Sequence, residues 1–563
     1  MKNILIAIRS IFKKGRHNVM KIVSLGIGLA VGLVLIAKVY FEQSYDDFYP
    51  DRDRVYQVWA KYQQNGGELK DYPQTSGGIA PTMQQQIPEI ETVTRYTSFG
   101  DWTFTMTDTK MKYSGRCIIA DSCFFDILPR PMLIGNAKEV LSTPMYVLIS
   151  SRIAKNIGGD VIGKNFTVDN SPGRTMTIGG VFEEVPENSH SRYDVIVSMA
   201  SAGRFMWEGS PTNMLGNDRY ISYVKLHKGV NPLALEEQVR TFVNSYFPPE
   251  EQQKVGLSID FSFHKLDNLH KELPQVKRMT WILSLLAFAL IFTAVMNYIL
   301  IVISSIVNRS KEVAVHKCYG ASENNIHGMM FGEALVHIVL SLILALLLIL
   351  AFRGTVEELL ATSLDSLLLS NGSLVLLGIC ILVFFVSGFM PGSLYARIPV
   401  ASAFRNYREN KRIWKKALLL VQFVATGFLV TMLVFVARQY TFMVNDRPGY
   451  AYENLAYCGL AGVDSTSRAK ILDEVMRLPG VAAATTVYQL PFEHASGNNI
   501  LLPGGTQELF NIADLYWVGN GYLDMMEIPV IQGRSFTENV TNSREVMVDR
   551  RFVEKMKLVA GWT

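Results

Sequence analysis

Residues 279–307 read MTWILSLLAFALIFTAVMNYILIVISSIV, and residues 331–352 read FGEALVHIVLSLILALLLILAF. Between them stands NRSKEVAVHKCYGASE (308–323), which carries Arg309, Lys311, Glu312, His316 and Lys317. A helix needs about 20 mainly apolar residues to cross the hydrocarbon of a bilayer. The two flanking runs are therefore predicted spans, and the charged stretch is the link between them. Three further segments meet the same requirement, which places spans at 19–41, 279–307, 331–352, 373–391 and 416–437. The first is too long in its apolar part for a cleavable signal peptide, and no A-x-A-like site follows it. Lys21 and Lys38, near its ends, are expected to snorkel to the headgroups.

Charge orients these spans, because short loops rich in Lys and Arg stay on the cytoplasmic side. Residues 1–21 carry Lys2, Arg9, Lys13, Lys14, Arg16 and Lys21 without a single acid. The 308–330 link and the 392–415 segment are also basic, whereas 353–372 sets one Arg against Glu357, Glu358 and Asp365. The N-terminus is thus expected inside, 42–278 outside, 308–330 inside, 353–372 outside, 392–415 inside and 438–563 outside. Residues 1–18 read as an amphipathic basic helix lying on the inner leaflet, with membrane lipid as its partner.

The 563-residue chain is 49% hydrophobic with a mean hydropathy of +0.17, high for a soluble protein but too low for one that is all membrane, which suggests a mixture of spans and water-facing domains. A net charge of +4 over this length predicts no nucleic-acid partner. The five cysteines show no CxxC or Cys/His spacing, so neither a zinc site nor a disulfide framework is expected. Cys117 and Cys123 are near enough in sequence to pair, although burial as free thiols is the commoner outcome.

The expected fold class is an α-helical membrane protein with α+β domains outside the membrane. Within 42–278, RVYQVWAKY, KYSGRCIIA, MYVLISS and TMTIGGVF have the β-branched and aromatic bias of strands, while APTMQQQIPEI and PLALEEQVRTFVNSYF have helical spacing. The second outside segment repeats the first. CFFDILPRPMLIGNA (123–137) aligns without gaps to GYLDMMEIPVIQGRS (521–535), placing Asp126 over Asp524 and Gly135 over Gly533. QQIPEIETVTRY resembles MRLPGVAAATTVY, and VLISSRIAKNI resembles VMVDRRFVEKM. The repeating unit reads as basic helix, span, outside domain and three spans. The second copy stops early, so a truncated second half is expected, the alternative being a natural short form with an unsupported half-domain.

Chemistry is sparse. GGDVIGKN (158–165) fits G-x-x-x-x-G-K but ends in Asn165, where a phosphate loop needs a hydroxyl for Mg²⁺. A helix is expected before it and a strand after it, so it reads as a turn. The nine histidines are scattered, with no HExxH, and no G-x-S-x-G elbow occurs. Glu183, Glu184 and Glu187 in VFEEVPENSH read as a solvated turn rather than acid/base groups. Glu333 reads as a capping or interfacial acid. No catalytic, cofactor-binding or metal site is expected in the chain.

Several motifs together resemble one family, the MacB/FtsX-type ABC transporter permeases, in the duplicated eight-span form found in Bacteroidetes. The residues that carry the likeness are SYDDFYPDRDRVYQV (44–58), VFEEVPENSHSRYD (181–194), LDNLH (266–270), RSKEVAVHKCYGAS (309–322), SGFMPGSLYARIPVASAFR (387–405) and WKKALLLVQFVATGFLV (414–430). The resemblance implies a MacB-like periplasmic core domain at 42–278 and a place in the bacterial inner membrane. It also implies that ATP and Mg²⁺ are bound by a separate cytoplasmic ABC ATPase subunit, not by this chain. The chain would transmit that partner's ATP-driven movement to the periplasmic domains, for export or extrusion, with a periplasmic adaptor or outer-membrane channel as a further partner. The alternative is a permease-like transmitter that controls a cell-wall hydrolase or a sensor kinase.

On this reading 308–330 is the coupling segment. Arg309, Lys311, Glu312, Val313, His316 and Lys317 are expected to form the docking helix, with Val313, His316 and Lys317 on neighbouring parts of one surface. Gly320 is expected to stop that helix, and Ser322 to cap the next. Similar proteins often carry Arg where His316 stands, which makes the local charge here pH-dependent.

Overall fold

The computed structural model describes residues 17–64, 69–168, 171–216, 218–369, 372–396, 400, 413–446, 449–460, 463–491, 496–501, 508–536 and 545–560. The predicted basic helix up to residue 16, and most of the basic segment 392–415, lie outside the described residues. Five helices long and apolar enough to cross a membrane run over Asn18–Gln43, Pro274–Ser304, Glu323–Ala351, Ser373–Ala396 and Ile413–Asn445. These are the first to fifth spans. The third starts well before its apolar run, because the Ser322 hydroxyl accepts the Asn325 N–H and caps it there. About a third of the predicted inside link, residues 323–330, is therefore the first turns of a span.

The first span packs between the second and third. A Cβ on Gly28 would stand 2.2 Å from that of Ala294, and one on Gly32 would stand 2.4 Å from the Ile291 side chain. Lipid tails are as apolar as Leu, so helices in a bilayer associate through such close approach of small residues rather than by hydrophobic drive. Leu25, Leu29, Tyr298, Ile299, Val302, Ile338 and Ala345 fill the space between the three helices.

Neither lysine of the first span snorkels. Lys21 is fully buried, with its Nζ 3.6 Å from Glu333 Oε1 on the third span. Lys38 is nearly as buried, 2.7 Å from both Glu42 Oε1 and the Thr362 hydroxyl. Glu333 is thus an interhelical ion-pair partner, not a cap. A bundle offers each ammonium a carboxylate, which an isolated span does not, and pairing replaces the route to the headgroups.

Between the first and second spans lies a mixed sheet of eleven strands. They are β1 (Val55–Gln64), β2 (Lys70–Tyr72), β3 (Ile90–Met106), β4 (Lys112–Ala120), β5 (Met132–Ile134), β6 (Tyr146–Ser150), β7 (Asn165–Val168), β8 (Ser171–Phe182), β9 (Val195–Ser198), β10 (Ile221–Leu226) and β11 (Leu257–Lys265). Their order is β11-β1-β10-β3-β4-β9-β6-β8-β5, with β2 beside β1. Because β7 pairs with both β3 and β8, strands β3-β4-β9-β6-β8-β7 close into a ring. Phe104, Cys117, Val147, Phe166, Met176, Ile178 and Val195 fill one core of this region. At the other end of the sheet, helices Ile79–Gln86 and Glu236–Tyr246 cover β1, β10 and β11 through Met83, Val239, Phe242, Val224 and Phe261. This is the expected α+β domain. Cys117 and Cys123 are both free thiols.

GGDVIGKN lies between helix Ser151–Ile157 and β7, the reverse of the strand–loop–helix order a phosphate loop requires.

Residues 429–563 form a second unit. Its described elements include helix Ser465–Met476, the hairpin β12 (Ser496–Leu501) and β13 (Glu508–Leu515), and helices Tyr522–Met525 and Arg550–Ala560. The short helix Phe124–Ile127 and left-handed Gly135 of the first domain recur here at the aligned positions, as Tyr522–Met525 and left-handed Gly533. Helices Ser151–Ile157 and Arg550–Ala560 likewise start at aligned residues.

Candidate functional site

Most of the charged stretch folds as one helix, Ile306–Cys318. Its end is a two-bond turn: the Gly320 N–H donates to Lys317 O at 3.0 Å, and the Ala321 N–H donates to His316 O at 3.0 Å. This pairing needs a left-handed residue at its centre, and Gly320 has φ +87°. Nothing stands within 4 Å of where a Cβ would lie, so glycine is needed there for its backbone and not for space. Ser322 then caps the third span, which leaves only Ala321 between the two devices.

The faces of this helix differ from the expected arrangement. Val313 is 1% exposed and packs with Ala314 in the core between the spans, so it does not share a surface with His316. Lys311, Val315, His316 and Tyr319 point outward, and Tyr319 is 89% exposed. Lys311, Val315 and Tyr319 follow one another at intervals of four, which puts them on one stripe. Glu312 and Lys317 are half-buried flanks, and Ser322 is exposed. Arg309 lies in the helix, and its side chain is outside the described residues. Reasoning from sequence missed Val315 and Tyr319. Two valines two residues apart are equivalent in composition, and only the position of the neighbouring spans selects which one is buried. Tyr319 beside a helix-ending glycine was the available signal.

At the other end of the first span, a second polar cluster joins elements far apart in sequence. Glu42 Oε2 lies 2.6 Å from His270 Nε2, in the turn that leads into the second span. Its other oxygen holds Lys38, which also donates to Thr362 between the third and fourth spans. The Tyr45 ring stacks on His270 at 3.4 Å between centroids, with the planes 7° apart. Burial, with the nearby Glu42 charge adding to it, pushes the Tyr45 phenol up to about 12, so it stays protonated. Lys271 adds an ion pair to Asp47 at 3.2 Å. The two covalent connections of the sheet domain to the membrane, residues 42–47 and 266–271, are thus tied to each other. The LDNLH motif supplies one side of that tie. Among the described residues no group of His, Cys, Asp and Glu is arranged to hold a metal ion.

The comparisons agree with this division. The family profile for the MacB-like periplasmic core domain matches residues 20–242, and that for the FtsX-like permease C-terminal region matches residues 284–400. No curated protein matches the chain. Among solved structures, a domain of a permease-designated protein from Porphyromonas gingivalis is 33% identical, covering 38% of this chain and 91% of that one, with a TM-score of 0.36. The periplasmic region of MacB from Actinobacillus actinomycetemcomitans is 15% identical over 37% of this chain and 87% of its own, with a TM-score of 0.25. The extracellular domain of the ABC-type transporter YknZ from Gram-positive bacteria is 11% identical over 36% and 98%, with a TM-score of 0.27. Permeases of this kind work with ABC ATPase subunits. With the core-domain and permease profiles in this order along one chain, and apolar helices on either side of the sheet domain, this multi-pass membrane protein belongs to the MacB/FtsX-type ABC transporter permeases.

Proposed function

We propose that the chain transmits ATP-driven movement from a separate cytoplasmic ATPase to its periplasmic core domain, for export or extrusion across the envelope. The observation that carries this reading is the two-faced helix Ile306–Cys318. Val313 and Ala314 anchor it into the span bundle, while Lys311, Val315 and Tyr319 present an unfilled stripe. A short charged helix with an apolar stripe suits the groove of a partner, its apolar residues giving buried area and its charges fixing register. The anchored face would pass the push to the second and third spans, which it joins. The membrane is the bacterial inner membrane, with the N-terminus and this helix in the cytoplasm. ATP and Mg²⁺ belong to the partner, and an adaptor or outer-membrane channel would receive the substrate.

The test is affinity purification of the full-length protein from membranes, alongside Lys311→Glu and Tyr319→Ala variants. An ABC ATPase should co-purify with the unaltered chain and be lost from both variants. Retention in both would remove this helix as the docking element. Recovery of a peptidoglycan hydrolase without transport would favour the regulatory reading instead.

A further inference from the structure

The sequence VFEEVPENSH (181–190) reads as a solvated turn, and the structure contradicts this for Glu187 to His190. Each of these four residues bonds to a membrane-proximal element. Glu187 Oε2 accepts the Ser363 N–H at 3.0 Å, from the segment between the third and fourth spans. The Asn188 side-chain amide donates to Ser44 O at 2.7 Å, just past the first span, and Asn188 O accepts the Asp46 N–H at 2.9 Å. The Ser189 hydroxyl donates to Asp46 Oδ1 at 3.0 Å, the His190 N–H reaches the same oxygen at 3.3 Å, and His190 Nδ1 lies 2.7 Å from Asp46 Oδ2. His190 Nε2 meets the hydroxyl of Tyr223, fully buried in β10, so the imidazole bridges the first span's exit to the sheet.

Asp46 is built for this contact. It is fully buried and has φ +60°, a left-handed conformation that Asp and Asn tolerate better than other side chains. That twist turns both its N–H and its carboxylate toward the 187–190 turn. Such a conformation persists where surrounding contacts over-determine it, and here four bonds do so.

We infer that the Glu187–His190 turn is the clamp through which the core domain follows the membrane helices. It grips the first span's exit through Asp46 and the third–fourth connection through Glu187, so relative movement of these two membrane elements turns the domain. These are positioning residues, and no chemistry is assigned to them. The inference rests on the proposed transmission of ATP-driven movement.

The experiment uses the full-length protein with its co-purifying ATPase and with exposed Cys318 and Cys458 replaced by Ser. Spin labels at Thr109→Cys and Leu359→Cys report the distance from core domain to third–fourth connection. In the unaltered clamp this distance should change between the nucleotide-free and ATP-plus-vanadate states. Asp46→Asn keeps the size and backbone preference of the residue, and Glu187→Ala removes the second grip. Each should abolish the change while ATP hydrolysis stays within twofold and the nucleotide-free distance is unaltered. A nucleotide-driven change that survives in both variants overturns the clamp.

A second measurement needs no ATP. Removing a charged acceptor from buried donors should speed amide exchange at residues 44–47 and 187–190 by about tenfold or more, with the rest of the sheet unchanged. Unaltered exchange there overturns the clamp independently. No nucleotide response in the unaltered protein, together with faster exchange in the variants, would instead sink the transmission reading.

Discussion

Lys21 Nζ on the first span lies 3.6 Å from the Glu333 carboxylate on the third, both side chains are buried, and Lys21 also donates to Asn18 Oδ1 at 3.2 Å. Removing one partner takes the opposite charge away from the other while it stays buried, whereas replacing both with apolar groups of similar volume removes the desolvation cost as well. Lys21→Met alone, or Glu333→Leu alone, should lower stability by about 3–5 kcal/mol. The double variant should recover most of that loss. Unfolding of the detergent-solubilised protein, followed as a double-mutant cycle, measures the difference; additive losses would deny the pair.

Gly28 faces Ala294 where the first and second spans pack against each other. A methyl at Gly28 would meet the Ala294 methyl at 2.2 Å, so one helix must shift to admit it. Gly28→Ala should cost about 1–3 kcal/mol as overpacking. Ala294→Gly in the same chain should restore part of the loss, and thermal unfolding in detergent reads both. No rescue would mean that the contact is not the source of the cost.

Val313 and Val315 are two residues apart in the same helix and should respond oppositely to one substitution. Val313→Asp places a charge in the span core and should lower stability by on the order of 3 kcal/mol, with a fall in membrane yield. Val315→Asp should change stability by no more than about 0.5 kcal/mol while weakening ATPase capture. Equal effects on both quantities would place the helix in a different rotation.

Asp51 carries an acid-sensitive tie in the core domain. The guanidinium of Arg54 at 3.1 Å and the ammonium of Lys225 at 2.6 Å hold its carboxyl down at about 2. A carboxylate with a folded value below its unfolded value of about 3.9 adds stability above that value and loses it as pH falls toward 2. The stability difference between the unaltered protein and Asp51→Asn should therefore be steady above about pH 4 and shrink between pH 4 and 2. The group is partly exposed, so the difference should be small and should fall further in high salt. Denaturant titrations at several pH values provide the check.

Much was legible in the sequence because it is local. Five apolar runs are long enough to span, and five helices stand there. The strand-like segments RVYQVWAKY, KYSGRCIIA, MYVLISS and TMTIGGVF fall on β1, β4, β6 and β8, since alternation and β-branching act within a few residues. Gly320 and Ser322 were identified as a stop and a cap from chemistry that involves only adjacent turns.

Tertiary structure alone decided which face of Ile306–Cys318 is buried, where Lys21 and Lys38 find carboxylates, and what the 187–190 turn holds. Val313 and Val315 have the same side chain, and only the neighbouring spans distinguish them. Asp46 and His190 are 144 positions apart, and Glu42 and His270 are 228 apart. No periodicity links residues at such separations. Their partners are set when the sheet closes and returns the chain to the membrane, where a buried carboxylate must meet a donor or pay its desolvation unrelieved.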